Sequence, residues 1–358
     1  MKSLSDALPK SQAFGRVGGC EAHLYTLENA FITAEVTDYG GRLVSIKAPD
    51  DRGGHSDVLL GFADAQTYAD TLGSFGALLG RNANRIAGGR FVMDGSLYAL
   101  SVNENGSTLH GGTIGFSRRF WSCAAHDRQS LVLTLISGDG DQGFPGEVEV
   151  SATYRLIESD LRLSFDARTT RPTPLSLSAH PYFNLAGPGV ADCLGHCVQI
   201  LADTFLPTDE QQIPTGERRS VRGTPFDFTM PQAIGARIRW ADAQLRIGRG
   251  YDHYFVLAET DSPKLRLAAR AFLPGGGRTL EIWTTQRGLQ FYTGNNLNGT
   301  AIGRDGLYRQ SAGFAFEPQG FPNAVNQPDF PSTIHQPGSA YHEEIVYRFR
   351  TDSGGAPA

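Results

Sequence analysis

Side chains able to transfer protons or to bind hydroxyl groups concentrate in a few short segments of this 358-residue chain. The segments are 80–91, 109–116, 178–185, 250–255, and a last group formed by 290–295 and 316–328. Each combines Arg, Asn, Gln, Asp, Glu or His with aromatic residues. A sugar presents hydroxyl groups on an otherwise apolar ring, so its binding site needs both kinds of side chain. Each segment alone is weak evidence, but together they indicate a carbohydrate site.

Other site chemistries lack their sequence signatures. The chain contains no G-x-S-x-G, no H-E-x-x-H and no phosphate-binding P-loop. The glycine run at 275–277 lies between two strand patterns, which predicts a hairpin loop rather than a phosphate cradle before a helix. None of the nine histidines forms an H-x-H pair of the kind that binds metal in small β-barrels. We therefore expect no metal and no cofactor.

Composition and charge narrow the class of partner. Hydrophobic residues make up 40% of the chain and charged residues 19%, as in a globular protein with a sizeable core. The net charge of −5 provides no positive field for nucleic acid or anionic lipid. We expect a neutral small molecule as the partner, with no nucleic acid and no membrane, and either a monomer or a homodimer.

The cysteines and the N-terminal sequence bear on the cellular compartment. Cys20, Cys123, Cys193 and Cys197 form no C-x-x-C pair, and their spacing is unlike that of zinc ligands. Residues 1–19 contain no apolar stretch resembling a signal peptide. These features predict unpaired thiols in a reducing compartment and a cytoplasmic location.

The elements that must position the polar segments are strands. Apolar and polar residues alternate over 148–156 and again over 161–167, which predicts a hairpin. Further strands are predicted at 31–36, 131–137, 264–273, 278–285 and 344–350. Asp-Gly and Asn-Gly pairs between such runs, as at 94–95 and 105–106, supply the positive φ angles of tight turns.

Helical patterns are scarce. Residues 64–69 predict a short helix capped by Asp64, and residues 230–237 predict another. The economical interpretation is one antiparallel domain folded as a twisted β-sandwich. We expect a single domain at 14–350, a flexible N-terminus at 1–13 and a flexible tail at 351–358.

The polar segments match a known family in sequence and in order. Residues 80–86 (GRNANRI) resemble the GRxANRI signature of the aldose 1-epimerase, or galactose mutarotase, family, and 109–112 resemble its LHGG element. Residues 180–185 (HPYFNL) resemble HxYFNL, Asp252 lies in a DH element, and 290–295 match QFYTGN. Glu317 precedes 322–331 (PNAVNQPDFP), which resembles PDAVNxPxFP with Asn323 in place of Asp. Arg287 replaces the proline often found after TTQ. The resemblance extends from about residue 14 to residue 349.

The resemblance implies a fold and an activity. The fold would be all-β, a large antiparallel β-sandwich of the supersandwich, galactose mutarotase-like type with very little helix. The enzyme would be an isomerase that interconverts the α and β anomers of free aldoses without a cofactor. Its general base would be Glu317 and its general acid His180. The sugar-binding residues it implies are Asn84, Arg85, His110, Asp252 and Gln290.

Several alternatives stand beside this interpretation. Burial habits favour structural roles for Tyr251 and His253, and Arg81 is either structural or a direct sugar contact. Related enzymes act on phosphorylated hexoses, but these would need additional basic side chains for the phosphate. A non-catalytic sugar-binding protein of the same fold would be expected to lack the acid or the base, whereas both are present here.

Overall fold

Alternating apolar residues place most of the chain in antiparallel strands. The computed structural model describes residues 10–258, 264–275 and 277–351. In chain order the first strands are β1 (Lys10–Val17), β2 (Cys20–Glu28), β3 (Thr33–Thr37), β4 (Leu43–Pro49), β5 (His55–Asp57), β6 (Leu78–Leu79), β7 (Arg85–Ile86), β8 (Arg90–Met93), β9 (Ser96–Ala99), β10 (Thr108–Leu109), β11 (Ser122–His126), β12 (Ser130–Ser137), β13 (Val148–Ile157) and β14 (Asp160–Thr169). They continue as β15 (Thr173–Pro174), β16 (Ser178–Ala179), β17 (Cys197–Ile200), β18 (Thr204–Leu206), β19 (Arg219–Ser220), β20 (Gln232–Ala233), β21 (Asp252–Val256), β22 (Arg266–Phe272), β23 (Thr279–Thr284), β24 (Gly288–Tyr292), β25 (Ile302–Gly303), β26 (Gly306–Leu307), β27 (Ala315–Gln319), β28 (Ile334–His335) and β29 (Tyr341–Arg350).

Helices are few and short. In the described part of the chain, the α-helices are α1 (Ala65–Asp70), α2 (Ile234–Arg237) and α3 (Ala243–Gly248). Short 3₁₀ turns cover Ala87–Gly89, Phe116–Arg118, Asp141–Gly143 and Ala324–Asn326. The predicted all-β class with very little helix is confirmed.

Three large sheets form the body of the molecule. A nine-stranded sheet has the order β11-β12-β13-β14-β29-β23-β22-β17-β20. A five-stranded sheet has the order β19-β18-β21-β24-β27, and the N-terminal strands β1 to β5 form another. One continuous apolar cluster joins side chains from all three sheets, including Leu27, Leu163 and Phe316. The sheets therefore pack around a shared core.

The five-stranded sheet β19-β18-β21-β24-β27 is buried on both faces along three of its strands. Every residue of β21, β24 and β27 is buried. Phe291 and Phe316 are cross-strand partners whose rings stack with centroids 5.2 Å apart inside the core cluster. Because strand side chains alternate between faces, their sequence neighbours must project from the opposite face. Polar neighbours on that face can remain only where a cleft or a hydrogen-bonding partner accommodates them.

The predicted elements mostly lie where the alternation placed them. The predicted hairpin is confirmed, because β13 and β14 pair antiparallel, with Val148 opposite Thr169 at one end and Ile157 opposite Asp160 at the turn. Helix α1 begins after Asp64, whose carboxylate accepts the Thr67 N–H at 2.9 Å, as predicted. The predicted helix at 230–237 is too long, since Gln232–Ala233 instead pairs with β17 and only Ile234–Arg237 is helical.

Two further expectations concern loops and the N-terminus. Strands β22 and β23 pair antiparallel, and Gly275 and Gly277 lie between them in the predicted hairpin loop. Residue 276 of the glycine run lies outside the described residues. Within the segment 1–13, for which flexibility is expected, residues 10–13 belong to β1 and pair with β2. Residues 1–9 and 352–358 lie outside the described residues. No described helix has the length and apolar character needed to span a bilayer.

Arg81 has a structural position in this fold. Its side chain is 2% exposed, and its guanidinium donates to the carbonyl oxygens of Ser137 at 2.7 Å, Pro145 at 3.0 Å and Gly146 at 2.7 Å. A further bond runs to the Ser137 hydroxyl at 2.8 Å. Carbonyl groups buried in this way cost free energy when they lose their donor. Arg81 therefore holds the end of β12 against the turn before β13.

We predict that Arg81→Ala lowers the free energy of unfolding by roughly 2–4 kcal/mol, because it leaves several buried carbonyl groups without a donor. Urea unfolding followed by intrinsic fluorescence measures this change. The matched control is Arg90→Ala, since the Arg90 side chain is exposed, and it should change the value by less than about 0.5 kcal/mol. Equal effects of the two substitutions would contradict the structural role of Arg81.

Candidate active site

A cleft of about 690 Å³ opens over the polar face of the sheet that contains β21, β24 and β27. Small-molecule sites usually measure about 300–1,000 Å³, so the cleft has the size of a ligand site. All the residues to which the family resemblance assigns a catalytic or sugar-binding role line it, namely Asn84, Arg85, His110, His180, Asp252, Gln290 and Glu317. Folding therefore brings together side chains that lie more than 200 positions apart in the chain.

Strand register positions the polar residues of the sheet. Gln290 in β24 is the direct cross-strand partner of Glu317 in β27, so both side chains project from one face. Asp252 is the first residue of β21 and is paired with Tyr292. Their sequence neighbours point into the aromatic core, which prevents the strands from rotating or slipping by one residue.

His180 and Glu317 are in direct contact. The Nε2 atom of His180 lies 3.3 Å from Oε1 of Glu317, and both side chains are almost completely buried. The imidazole stacks on Tyr182, with centroids 4.7 Å apart, and Tyr182 stacks in turn on Phe75 at 4.5 Å. The backbone N–H of His180 donates to the carbonyl oxygen of Ala77 at 3.0 Å. The ring is therefore fixed by stacking and by its own backbone.

Burial shifts both members of this pair toward their neutral forms. It raises the pKa of Glu317 well above 4.5; the charge of Asp252 adds to this increase and Arg85 opposes it. Burial lowers the pKa of His180 from 6.5 to about 4. Over the range between these shifted values the two side chains hold one proton between them, and their titrations are coupled. Such a pair can accept a proton at one atom and donate one at the other.

His110 lies beside His180, with ring centroids 5.8 Å apart in an edge-to-face arrangement. The backbone N–H of Asn84 donates to His110 Nδ1 at 3.1 Å, so Nδ1 must carry a lone pair. Burial lowers the pKa of His110 well below 6.5, and repulsion from a protonated His180 and from Arg85 lowers it further. His110 is therefore a neutral imidazole whose Nε2–H is available as a hydrogen-bond donor.

The donor set fits a metal ion poorly. One atom from each of His110, His180 and Glu317 lies within 4.8 Å of the others, a grouping that resembles two histidines and a carboxylate around a metal. A histidine ligand must present an unprotonated nitrogen to the ion. His110 has its Nδ1 lone pair directed at the Asn84 N–H and a hydrogen on Nε2, so neither nitrogen is free to coordinate.

A charged network surrounds Arg85 and Asp252, which also line the cleft. The guanidinium of Arg85 binds Glu104 through Nε at 2.6 Å and through NH2 at 3.1 Å. The two oxygens of Asp252 accept the side-chain amides of Gln290 at 2.6 Å and Gln212 at 2.8 Å. Burial raises the pKa of Asp252, while Arg85 and both amides oppose that increase. Glu104 and Gln212 were not singled out from the sequence, because each lies in a turn of ordinary surface composition.

The remaining candidates divide between the wall of the cleft and the core. Tyr182 and Tyr292 line the cleft, but Arg81, Tyr251 and His253 do not. Tyr251 belongs to the apolar core, and His253 bonds Gln244 at 3.2 Å on the core-facing side of β21. The departure at Asn323 is structural, since its Oδ1 accepts the N–H of Ala87 at 3.0 Å.

Comparison with known proteins places this chain in a family. The sequence model of the aldose 1-epimerase family matches residues 23–348. The chain belongs to this family. It is 40% identical to the galactose mutarotase of Sus scrofa over 326 residues, which cover 91% of this chain and 93% of that protein. It is 37% identical to the aldose 1-epimerase of Escherichia coli, covering 91% of this chain and 94% of that one.

Solved structures of the family share the fold. An aldose epimerase homologue from C. elegans superposes with a TM-score of 0.85 at 28% identity, covering 92% of this chain and 99% of that one. The resemblance inferred from the motifs is therefore confirmed across the fold as well as the sequence. The predicted galactose mutarotase-like β-sandwich is likewise confirmed.

We predict that His110 and His180 are both neutral at pH 7, because burial lowers both pKa values. Nitrogen-15 correlation spectra of the histidine rings distinguish the tautomers, and His110→Asn and His180→Asn assign the signals. His110 should show a protonated Nε2 and an unprotonated Nδ1. A signal for His110 with both nitrogens protonated at this pH, or with the proton on Nδ1, would contradict the geometry.

Proposed function

We propose that this protein is an aldose 1-epimerase that interconverts the α and β anomers of a free aldose such as galactose or glucose. The observation that carries the proposal is the buried contact between His180 and Glu317 at 3.3 Å in a cleft lined by hydroxyl-binding groups. Anomer interconversion needs one acid and one base, and it requires no nucleophile and no redox group. Membership of the aldose 1-epimerase family supports the same activity.

The reaction begins with opening of the hemiacetal ring. Glu317 accepts the proton of the C1 hydroxyl group, the C1–O1 bond gains double-bond character, and the bond from C1 to the ring oxygen breaks. His180 donates a proton to the ring oxygen as it leaves. The C1–C2 bond then rotates, and closure on the other face of the aldehyde reverses both transfers. The pair ends with the same single proton with which it started.

The geometry supports this division of roles. In the resting pair, proton transfer across the 3.3 Å contact interconverts the neutral form with the form that holds a carboxylate and an imidazolium. The second form is the one that can act on the substrate, and sugar hydroxyls can stabilise its charges by hydrogen bonding. Groups positioned in this way each contribute about 10²–10⁴-fold to the rate.

The other residues of the cleft hold the sugar. In our proposal the Nε2–H of His110 donates to a sugar oxygen beside the reacting carbon, since the ring is neutral and fixed by Asn84. Arg85, Asp252 and Gln290 bind the remaining hydroxyl groups, and the side-chain oxygen of Asn84 accepts the N–H of Arg85 at 2.9 Å. Such contacts keep the open-chain aldehyde in place until the ring closes.

Charge in the cleft favours a free sugar over a phosphorylated one. Among the described residues the cleft is lined by the arginines Arg85 and Arg118 and by the acids Glu104, Asp252 and Glu317. Arg85 is already neutralised by Glu104 at 2.6 Å. A phosphate group would therefore meet no excess of positive charge, whereas neutral hydroxyl groups find donors and acceptors.

We also propose a cytoplasmic protein in which residues 14–350 act as a single domain, as a monomer or a homodimer. All four cysteines are free thiols in the structure, which suits a reducing compartment. One continuous core joining the three large sheets supports a single domain.

We predict that the protein accelerates the approach of pure α-galactose or α-glucose to anomeric equilibrium, and that Glu317→Gln and His180→Asn each lower kcat/KM by about 10²–10⁴-fold. Polarimetry or NMR of freshly dissolved sugar measures the rate. Matched controls are Glu149→Gln and His342→Asn, because both side chains are exposed on the nine-stranded sheet. A wild-type rate equal to that of buffer for every common aldose would exclude the activity.

We predict a broad pH plateau for kcat/KM. Activity needs one proton on the pair, so the acid limb follows the addition of a second proton. Because the pKa of His180 is lowered to about 4, activity should persist below pH 6.5 and fall only near pH 4. The alkaline limb follows loss of the shared proton and lies well above the ordinary glutamate value of 4.5. A single acid limb centred on 6.5 would contradict this coupling.

A further inference from the structure

Gln212 contacts two residues of the cleft wall, Asp252 and Arg85, from a turn with an unusual backbone conformation. Its φ angle is +60°, a region that non-glycine residues enter at a cost in free energy. Asp209 holds the turn, since its carboxylate accepts the N–H groups of Gln211 and Ile213, both at 2.9 Å. The carbonyl oxygen of Asp209 accepts the N–H of Gln212, also at 2.9 Å. The turn therefore directs one half-buried side chain toward the site.

Both ends of the Gln212 amide are used there. Its Nε2 donates to Oδ2 of Asp252 at 2.8 Å, and its Oε1 accepts from NH2 of Arg85 at 3.0 Å. The partners define the orientation of the amide, because a carboxylate only accepts and a guanidinium only donates. Gln212 is thus the link between the acidic and the basic sugar-binding groups.

This link determines the directions in which those groups can bind a ligand. With Gln290 on Oδ1 and Gln212 on Oδ2, the carboxylate of Asp252 is held in one plane and keeps a second lone pair on each oxygen. Arg85 is held by Glu104 on one side and by Gln212 on the other. An amide is suited to this position because it adds no charge to the network.

We propose that Gln212 is a positioning residue for sugar binding, which orients Asp252 and Arg85 toward the hydroxyl groups of an aldose. The inference rests on the proposed function for the identity of the ligand. Gln212 acts through Asp252 and Arg85 and leaves the proton transfers at Glu317 and His180 unchanged. Its loss should therefore raise KM much more than it lowers kcat.

Three variants test the proposal. Gln212→Met keeps the length of the side chain but removes both hydrogen bonds, and Gln212→Ala removes the side chain. We expect each to raise KM for galactose about 10–100-fold, as for loss of hydrogen bonds to charged groups, with kcat within about threefold of wild type. Gln212→Glu replaces the donor opposite Asp252 with a second carboxylate. Its KM should be the highest of the three at pH 7 and should approach the wild-type value as the pH falls and the introduced carboxyl group becomes protonated.

The control is Gln211→Ala, because Gln211 is the exposed neighbour in the same turn and should leave KM and kcat unchanged. Thermal unfolding identifies any variant that fails to fold, and calorimetric titration with galactose measures affinity without turnover. An active wild type whose Gln212→Met and Gln212→Ala variants keep KM within twofold overturns the role of Gln212. Equal losses in kcat and kcat/KM also overturn it. A wild type that neither turns over nor binds any aldose instead overturns the proposed function.

Discussion

Burial of the Glu317 carboxyl group against the His180 imidazole is the constraint on which the rest of the site depends. A charged carboxylate or imidazolium alone in this interior would be costly, so the two groups favour a state in which they share one proton. That sharing makes both an acceptor and a donor available on the same side of a ligand. It persists only while water is excluded and Nε2 of His180 stays about a hydrogen-bond length from Oε1 of Glu317. The packing of the fold around the pair imposes both conditions.

The sheet that contains β21, β24 and β27 meets those conditions because these three strands are buried on both faces. Phe316 packs in the aromatic core while its neighbour Glu317 faces the cleft, so the core fixes the position of the carboxyl group. His180 directly follows β16, which pairs with β6 in a separate two-stranded sheet, and its ring is held by stacking on Tyr182. The acidic Asp252 and the basic Arg85, which also line the cleft, are bridged by the neutral side-chain amide of Gln212.

The sequence predicted the strands well and the site only in part. Alternation over 148–156 and 161–167 indicates directly which side chains are buried, so the pattern predicts the hairpin that β13 and β14 form. The residues of the cleft were found through motif resemblance, because nothing in local periodicity brings residue 84 near residue 317. Gln212 was missed for a physical reason. Its position depends on a turn with a positive φ angle and on partners 40 and 127 residues away.

The two histidines of the cleft show how backbone geometry determines side-chain chemistry. His180 is buried and His110 is half-buried, but both have lowered pKa values, so neither the direction of the pKa shift nor residue type distinguishes them. The difference is the partner of each ring. A backbone N–H from Asn84 directs its hydrogen at His110 Nδ1, which confines that ring to one neutral tautomer and makes it a fixed donor. His180 instead faces a carboxyl group that can take or return a proton. In the proposed reaction, therefore, His180 can change its protonation state during turnover, whereas His110 can only bind.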